Sequence, residues 1–313
     1  MIKIAFFGEA MHELSTNQEL NFGGDTYNTA VYFKRLMGEQ VHVYFISAIG
    51  SDELSKQAKA RWQQQALKLD FLQYATNHTL GAYGITLDAN GERVFHYDRK
   101  NSAAREYFKL DTQHQFLTAL QQQQFDYLYF SAISLAIYDD PTKQLLMTAI
   151  AQFKQAGGIV IFDSNYRQVL WQSNMQAHYW FRQAFLVADI IFVTNDDHFG
   201  VFGDCEQQQL VDFYRAYPQA LRVIKQGLDD TIVLQQQTIN YYPVTAVAKV
   251  IDTTAAGDAF AAGFLAEQIL ASPCAIAVQT AQQLAAQVIT AAGAIVATTV
   301  TLKASKQQEL NNA

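Results

Sequence analysis

The nine residues Asp252-Thr253-Thr254-Ala255-Ala256-Gly257-Asp258-Ala259-Phe260 place a run of small side chains directly before a predicted helix. The backbone N–H groups of Ala256, Gly257 and Asp258 can point together at a phosphate, because Gly257 has no Cβ and its neighbours are small. At the start of a helix, unpaired donors and the positive end of the helix dipole both favour an anion. Asp258 would then lie beside the phosphate and accept the proton of an attacking hydroxyl, an arrangement typical of phosphoryl transfer.

A purely structural interpretation of the same stretch is a capped helix. Asp252 or Thr254 would accept hydrogen bonds from the first turn, and Asp258 would be an ordinary first-turn acid. The helix itself is indicated by apolar residues at near-helical spacing and by the Ser272-Pro273 pair that ends it. Both interpretations begin a helix close to residue 255.

Composition narrows the class of protein. The chain has 313 residues, of which 50% are hydrophobic, enough to bury one large core. Its net charge of −7 argues against a general nucleic-acid or anionic-membrane partner, since either requires a basic face. Cys205 and Cys274 show no metal-ligand spacing, so we expect neither a disulfide framework nor a zinc site, and a cytoplasmic location. The apolar run at residues 1–7 is too short for the core of a signal peptide.

Short apolar strands alternate with helical stretches along most of the chain. The predicted strands are residues 3–7, 41–46, 127–131, 159–163, 190–194 and 222–225. The predicted helices cover residues 26–37, 53–66, 140–155, 174–188 and 206–215. This pattern predicts an α/β fold, with a mostly parallel sheet covered by helices on both faces. Ligands of such sheets bind beyond the carboxyl ends of the strands.

The uncharged stretch from residue 284 to 300 is interrupted by Gln287, Gly293 and several threonines. These interruptions argue against a membrane span. We expect a buried helix followed by a strand.

A β-only passage at residues 70–100 interrupts the alternation. If Asn90-Gly91 forms a two-residue turn, Tyr83 lies opposite Asp98; if a three-residue turn with a bulge forms, Tyr83 lies opposite Tyr97. An aspartate at the first turn position and a glycine at the fourth favour the second register. That register places five residues on one face, an aromatic surface that ends in a guanidinium: Tyr83, Ile85, Phe95, Tyr97 and Arg99. The simpler alternative is an ordinary half-buried hairpin.

Two further motifs indicate a sugar that carries an anionic group. The Gly23-Gly24 pair lets a sugar approach the backbone closely, and Asp25 and Asn28 can bind vicinal hydroxyls from one turn of a helix. Arg99 and Arg167 each follow a predicted strand. A neutral sugar has no need of two guanidinium groups, whereas a carboxylate or phosphate matches their fork of donors. Taken singly, the first motif is also compatible with a helix cap and the second with surface salt bridges.

The stretch at 252–258 is similar to the second signature of the PfkB (ribokinase-like) carbohydrate kinases, usually written DTxGAGD, with Ala255 where most members have Gly. The glycine pair with Asn28 resembles the first signature. The resemblance covers nearly the whole chain and is strongest to the branch that phosphorylates 2-keto-3-deoxygluconate. The motifs that carry this closer likeness are Gly8-Glu9-Ala10-Met11, Glu13-Leu14-Ser15, Tyr97-x-Arg99, Ser134-Leu135-Ala136-Ile137 and residues 162–167.

The resemblance implies a ribokinase-like α/β domain over residues 1–313, with a β lid formed by about residues 10–22 and 70–100. It implies ATP-dependent phosphorylation of 2-keto-3-deoxygluconate at its 6-hydroxyl. Asp258 would be the general base beside an anion hole at Ala255, Ala256 and Gly257. The sugar acid would be bound by Gly24, Asp25, Asn28, Tyr83, Tyr97, Arg99, Ile133 and Arg167. The alternatives are a kinase for fructose, fructose 1-phosphate or fructose 6-phosphate, and a catalytically silent sugar-binding relative.

For the nucleotide, the resemblance implies ATP with Mg²⁺, lined by Asn195, Lys225, Gly227 and Gly257. The family's Asn-x-x-Glu motif reads Asn195-Asp196-Asp197-His198 here, which leaves the metal ligands open, with Asp197 as a candidate acting through water. The sequence contains neither a P-loop nor a dinucleotide fingerprint. The resemblance also implies a monovalent-cation site framed by Asp252, Thr254 and carbonyls near Gly293. A homodimer formed through the lid is expected, because open strand edges favour pairing.

Overall fold

The predicted alternation of strands and helices is present in the computed structural model, which describes residues 1–14, 20–87 and 93–303. The strands are β1 (Ile2–Phe7), β2 (Met11–Leu14), β3 (Asn21–Gly23), β4 (Val41–Ile46), β5 (Ala48–Gly50), β6 (Gln73–Ala75), β7 (Gly81–Leu87), β8 (Arg93–Asp98), β9 (Tyr127–Ser131), β10 (Ile159–Asp163), β11 (Ile190–Thr194), β12 (Leu221–Lys225), β13 (Thr231–Gln235) and β14 (Thr238–Tyr242). The helices are α1 (Asp25–Met37), α2 (Glu53–Gln64), α3 (Tyr107–Leu110), α4 (Gln115–Gln121), α5 (Ala132–Ala136), α6 (Asp140–Gln155), α7 (Asn174–Val187), α8 (Asn195–Phe202), α9 (Gln207–Arg215), α10 (Ala256–Ile269) and α11 (Cys274–Val288).

The main sheet has eight strands in the order β14-β13-β12-β11-β10-β9-β1-β4 within the described residues. From β4 to β12 all neighbours are parallel, whereas β13 and β14 add an antiparallel edge. Successive side chains of a strand point to opposite faces, so Phe6 and Phe7 enter two different buried clusters. One cluster is covered by α1, α10 and α11, and the other by α4, α6 and α7. The predicted α/β class with helices on both faces is therefore confirmed.

Most predicted elements are found within a residue or two. The strands predicted at 41–46, 127–131, 159–163 and 190–194 have the same bounds in the structure. Sequence analysis missed the antiparallel pair β13 and β14, which lies beyond the last regular strand-helix unit.

The strand expected after the last helix is wrong. Residues 289–300 follow α11 without forming a strand, and Gly293 has a positive φ of 94°. In this segment, side chains form the hydrogen bonds to backbone groups that a neighbouring strand would otherwise form. The Asp252 carboxylate accepts the Gly293 amide at 2.8 Å, and the Tyr32 hydroxyl bonds to the backbone of Ala294 and Val296 at 2.8 and 3.0 Å.

A second, smaller sheet has the order β3-β2-β7-β8. Tyr83 lies opposite Tyr97 in the β7–β8 pair, which confirms the register favoured by the sequence. The turn at 88–92 that connects these strands lies outside the described residues. Within the predicted β-only passage, β6 pairs with β5 in a separate two-stranded sheet instead.

The carboxyl ends of the parallel strands place polar residues along one edge of the main sheet. Glu9 follows β1, Asp163 ends β10 opposite Ser131 of β9, and Lys225 ends β12 opposite Thr194 of β11. This is the edge at which parallel sheets bind ligands. Among the described residues, no helix is both long and apolar enough to cross a membrane.

Candidate active site

The start of α10 has an unusual backbone conformation. Ala255 precedes the helix in the left-handed region, with φ of 61°, where a side chain costs about 1 kcal/mol relative to glycine. Ala255, the residue at the N-cap position, makes no side-chain hydrogen bond to the helix, and Asp258 lies in the first turn, as the capping interpretation also predicted. The Ala256 amide donates to the Thr253 carbonyl at 3.2 Å. Among the described residues, the amides of Gly257 and Asp258 have no such partner and remain available to an anion.

Asp252 shapes the turn that leads into this helix. Its buried carboxylate accepts the amides of Thr254 and Gly293, each at 2.8 Å. The carboxylate therefore ties the small-residue stretch to the irregular segment after α11. The turn conformation depends on this contact across 41 residues of sequence.

Asp258 is the acid in the first turn of α10, and it is only 9% exposed. The Nδ2 of Asn28, in the first turn of α1, donates to its Oδ2 at 2.8 Å. Burial, followed by the nearby Asp25 carboxylate, raises the pKa of Asp258 to about 7, while Asn28 and Lys225 act in the opposite direction. A carboxyl group with this pKa can exchange a proton at neutral pH, as a general base must.

The first turn of α1 carries further groups suited to hydroxyls. Asp25 accepts a hydrogen bond from the Nδ2 of Asn165 at 3.1 Å. The Oδ1 of Asn28 is buried and has no partner within the described residues, so it can accept a bond from a ligand. At Gly24, whose φ is 145°, a Cβ would lie 2.4 Å from the Glu9 carbonyl. Only glycine fits this approach of the turn to the end of β1.

Two guanidinium groups meet at Tyr97. The Arg99 Cζ lies 4.5 Å from the centroid of the Tyr97 ring, and the Arg167 side chain is hydrogen-bonded to Tyr97. The rings of Tyr83 and Tyr97 are 6.2 Å apart, as the predicted aromatic face requires. Arg99 is 7% exposed, yet its Nε and Nη1 have no hydrogen-bond partner in the described part of the chain. These buried donors are available to an anionic group.

Lys225 approaches the start of α10 from the end of β12. Its Nζ lies 3.5 Å from the position that a Cβ on Gly257 would occupy. It also forms an ion pair with the Oδ2 of Asp163 at 3.3 Å, and the Tyr129 hydroxyl donates to the same oxygen at 3.1 Å. A single cation therefore neutralises a buried carboxylate and stands beside the two available amides.

The altered Asn-x-x-Glu motif lies at the start of α8, and two of its residues, Asp197 and His198, have protein partners. The Asp197 carboxylate accepts from the Ser164 hydroxyl at 2.6 Å and from the Tyr166 amide at 2.9 Å, which orders the loop that carries Arg167. His198 is buried against Phe213, and burial lowers its pKa to about 4, so it is a neutral core residue. Among residues 1–14, 20–87 and 93–303, no group of three acidic, histidine or cysteine side chains could hold a metal ion.

Within the described residues, three residues predicted to bind the sugar or the nucleotide have no polar contact that marks them as ligand-binding. Ile133 lies in α5 and packs into the main core cluster. Asn195 begins α8 and is partly exposed. Gly227 follows β12 with φ of 64°, and nothing lies within 4 Å of the position a Cβ would take.

Sequence reasoning assigned no role to three buried acids in the site, namely Glu9, Glu13 and Asp163. Glu13 accepts a hydrogen bond from the Tyr83 hydroxyl at 2.5 Å. Glu9 forms an ion pair with Arg99, and Asp163 forms one with Lys225. Their position directly after β1, within β2 and at the end of β10 is the signal that could have identified them, since carboxyl ends of strands carry the ligand groups of such sheets.

Comparison with known proteins identifies the family of this chain. A family model described as pfkB family carbohydrate kinase matches residues 1–300. The chain belongs to the pfkB family of carbohydrate kinases. It is 37% identical to a 2-dehydro-3-deoxygluconokinase of Dickeya dadantii, covering 94% of this chain and 96% of that protein. It is 35% identical to a 2-dehydro-3-deoxygluconokinase of Escherichia coli K12, covering 94% and 97%.

Among solved structures, the fructokinase of Vibrio cholerae O395 bound to fructose, ADP and calcium is similar to this chain, with a TM-score of 0.80. The identity is 24%, and the match covers 98% of each chain. The predicted ribokinase-like fold is confirmed by this match along the whole chain. As a pfkB member, the protein is a carbohydrate kinase, which uses ATP and a divalent metal ion.

The ion pair of Lys225 leads to a prediction that separates its structural role from the role in nucleotide binding that the sequence predicts for it. Lys225→Met should lower the free energy of unfolding by about 3 kcal/mol, because a buried carboxylate at Asp163 loses its cation. The same variant should bind ATP roughly tenfold more weakly, since a phosphate loses a nearby positive charge. Chemical denaturation and calorimetric titration with ATP measure the two effects.

The double variant Lys225→Met/Asp163→Asn is the matched control. It should recover most of the stability, because the uncompensated charge is gone, without recovering ATP affinity. Recovery of both would show that Lys225 acts only by neutralising Asp163.

Proposed function

We propose that this protein transfers the terminal phosphoryl group of ATP to the 6-hydroxyl of 2-dehydro-3-deoxy-D-gluconate. The observation that carries the proposal is the pair of guanidinium groups around Tyr97. Two buried Arg99 donors, Nε and Nη1, form no hydrogen bond within the described residues, and the 3.5 Å contact of Nε with Glu9 is an ion pair only. A neutral ketose offers such donors only uncharged oxygens, whereas a carboxylate matches them in charge and in bidentate geometry. The two relatives named above, both 2-dehydro-3-deoxygluconokinases, support the same substrate.

In this proposal, different residues bind the two ends of the sugar. Arg99 and Arg167 bind the carboxylate, while Asp25 and Asn28 bind hydroxyls along the chain. Tyr83 is proposed to contact the middle of the sugar. Its hydroxyl lies 2.3 Å from the position that a Cβ on Gly23 would occupy, and its ring is 6.2 Å from that of Tyr97. Holding both ends orients the 6-hydroxyl for in-line attack and makes the reaction effectively intramolecular.

Asp258 is the proposed general base. With a pKa of about 7 it is substantially ionised at neutral pH, and it accepts the proton of the 6-hydroxyl as that oxygen attacks. The Gly257 and Asp258 amides, together with Lys225, stabilise the charge on the transferring phosphoryl group. Ala255 holds the turn in the left-handed conformation that directs these amides, although it carries a methyl group.

The proposed cofactors are ATP and Mg²⁺. Because the described residues contain no cluster of metal ligands, the Mg²⁺ would be held mainly by nucleotide phosphates and water, as a small hard cation tolerates. Asn195, Lys225 and Gly227 line the proposed nucleotide site, and Asp197 reaches the ion through water. We also propose that a monovalent cation binds beside Asp252. A higher reaction rate in potassium salts than in choline salts would support this site.

The β3-β2-β7-β8 sheet is the proposed lid, which excludes water from the phosphoryl group and prevents hydrolysis of ATP. Its two outer strands, within the described residues, are β3 and β8. Native proteins often protect the exposed edges of sheets. We propose that a second copy of this chain covers the edge of the lid sheet in a homodimer. A monomeric mass in solution, measured by light scattering, would contradict the dimer.

The substrate proposal predicts the outcome of a competition between acceptors. ADP release should be fastest with 2-dehydro-3-deoxy-D-gluconate, compared with fructose, fructose 1-phosphate and fructose 6-phosphate. Asp258→Asn should lower kcat by a factor of at least about 10² while retaining the sugar, because it removes the base and keeps the shape. Faster turnover of a phosphosugar would overturn the substrate, and full activity in Asp258→Asn would overturn the base.

The pKa of Asp258 predicts how kcat/KM depends on pH. It also predicts the direction in which two substitutions shift this dependence. The base must be deprotonated, so kcat/KM should rise with pH and reach half its plateau near pH 7. Asn28→Ala removes a donor that stabilises the ionised carboxylate, so the midpoint should move upward by about one pH unit. Asp25→Asn removes a like charge and should move the midpoint downward.

Thr29→Val is the matched control for these profiles. The Thr29 hydroxyl donates to the Asp25 carbonyl on the same helix and is absent from the groups that act on Asp258. Its midpoint should equal that of the wild-type protein. Equal midpoints in all four proteins would show that another group sets the profile.

A further inference from the structure

Arg99 lies in an ion pair whose geometry is incomplete. Its Nε is 3.5 Å from the Oε2 of Glu9, and the two side chains are 7% and 1% exposed. Neither atom has a hydrogen-bond partner within the described residues, and the same is true of the Arg99 Nη1. The contact is thus electrostatic, and it leaves the donors of Arg99 free for a second anion.

Glu9 is held firmly on the side away from this contact. Its Oε1 accepts a short hydrogen bond from the Ser102 hydroxyl. A Cβ on Gly81, the first residue of β7, would lie 3.0 Å from the same oxygen. The absence of a side chain at Gly81 therefore leaves room for the carboxylate under Arg99.

The charge around Glu9 comes from several elements packed against it. Burial raises the pKa of the Glu9 carboxyl, although Arg99 and Ser102 lower it. The titratable or charged groups that face it are Arg99, Asp25 of α1, Arg105 of the 3₁₀ turn at Ala103–Glu106, and Tyr138 after α5. Arg99 is the largest of the stabilising influences on the ionised form.

A substrate carboxylate on Arg99 changes this balance. One guanidinium would then serve two carboxylates, one of them almost fully buried, and like charges in a buried site cannot both remain ionised without a large cost. The substrate carboxylate keeps its charge more easily, because it gains the free donors of Arg99 and the second guanidinium of Arg167. The proton is therefore expected at Glu9.

We propose that Glu9 positions Arg99 for the substrate carboxylate and takes up one proton from solvent when that carboxylate binds. Glu9 is a positioning residue in this account, since it acts through Arg99. It holds the guanidinium in the empty site, and it becomes neutral in the occupied one. The inference rests on the proposed function, because it requires an anionic sugar.

The test is calorimetric titration with 2-dehydro-3-deoxy-D-gluconate in buffers of low and high ionisation enthalpy, at pH 7 and without ATP. All proteins carry Asp258→Asn, so that the base contributes no proton. The dependence of the observed enthalpy on the buffer ionisation enthalpy gives the number of protons taken up. We expect a positive slope approaching one proton per site, and an affinity that falls as the pH rises.

Glu9→Gln keeps the shape of the side chain and has no titratable group, so its slope should be zero. Ser102→Ala provides a second variant in which Glu9 remains. Loss of the hydroxyl donor raises the proton affinity of Glu9 in the empty site, so the carboxyl is already partly protonated and the uptake at pH 7 should be smaller. A role confined to structure would leave the slope unchanged in both variants.

The outcomes distinguish this inference from the proposed function. The role of Glu9 would be overturned if the protein that retains Glu9 and Ser102 bound the sugar acid with no slope. It would also be overturned if Glu9→Gln and Ser102→Ala both had the same slope as that protein. Either result would leave the substrate in place. Absence of binding by 2-dehydro-3-deoxy-D-gluconate in every protein would overturn the substrate and the inference together.

Discussion

The hydrogen bond from Asn28 to Asp258 joins residues that are 230 positions apart and brings the starts of α1 and α10 together. Each helix contributes the positive end of its dipole and the unpaired amides of its first turn. Carboxylates and phosphates are stabilised where two such ends converge. The candidate active site therefore depends on the packing of these two helices on one face of the sheet, a packing that the apolar cluster beneath them maintains.

The acids of the site are costly to the folded protein. Burial raises the pKa of Glu9, Asp163 and Asp258, which means that each resists ionisation. Arg99 and Lys225 compensate two of these acids through ion pairs, while Asp258 forms no ion pair within the described residues and is stabilised by the Asn28 amide and the charge of Lys225. Uneven compensation thus separates the proposed general base from the acids that hold neighbouring cations.

Much of the fold was predictable because its signals are local. Buried parallel strands such as residues 127–131 and 190–194 are continuous apolar runs, and the helices between them end at recognisable residues. The strand expected within residues 289–300 failed for the opposite reason. Its backbone groups are taken by Asp252 and Tyr32, which are distant in sequence, so no local pattern could report the competition.

The same distinction between local and long-range information applies to the residues of the candidate site. The sequence by itself determined the kinds of group present: a small-residue turn before a helix, an acid in its first turn, a glycine pair, and arginines that follow strands. Only the tertiary structure decided their partners, placing Glu9 under Arg99, Asp163 beside Lys225 and Asn28 on Asp258. The physical reason is that residue type and helix position follow from short-range sterics, whereas pKa and unpaired donors depend on burial and on charges brought close by the folded chain.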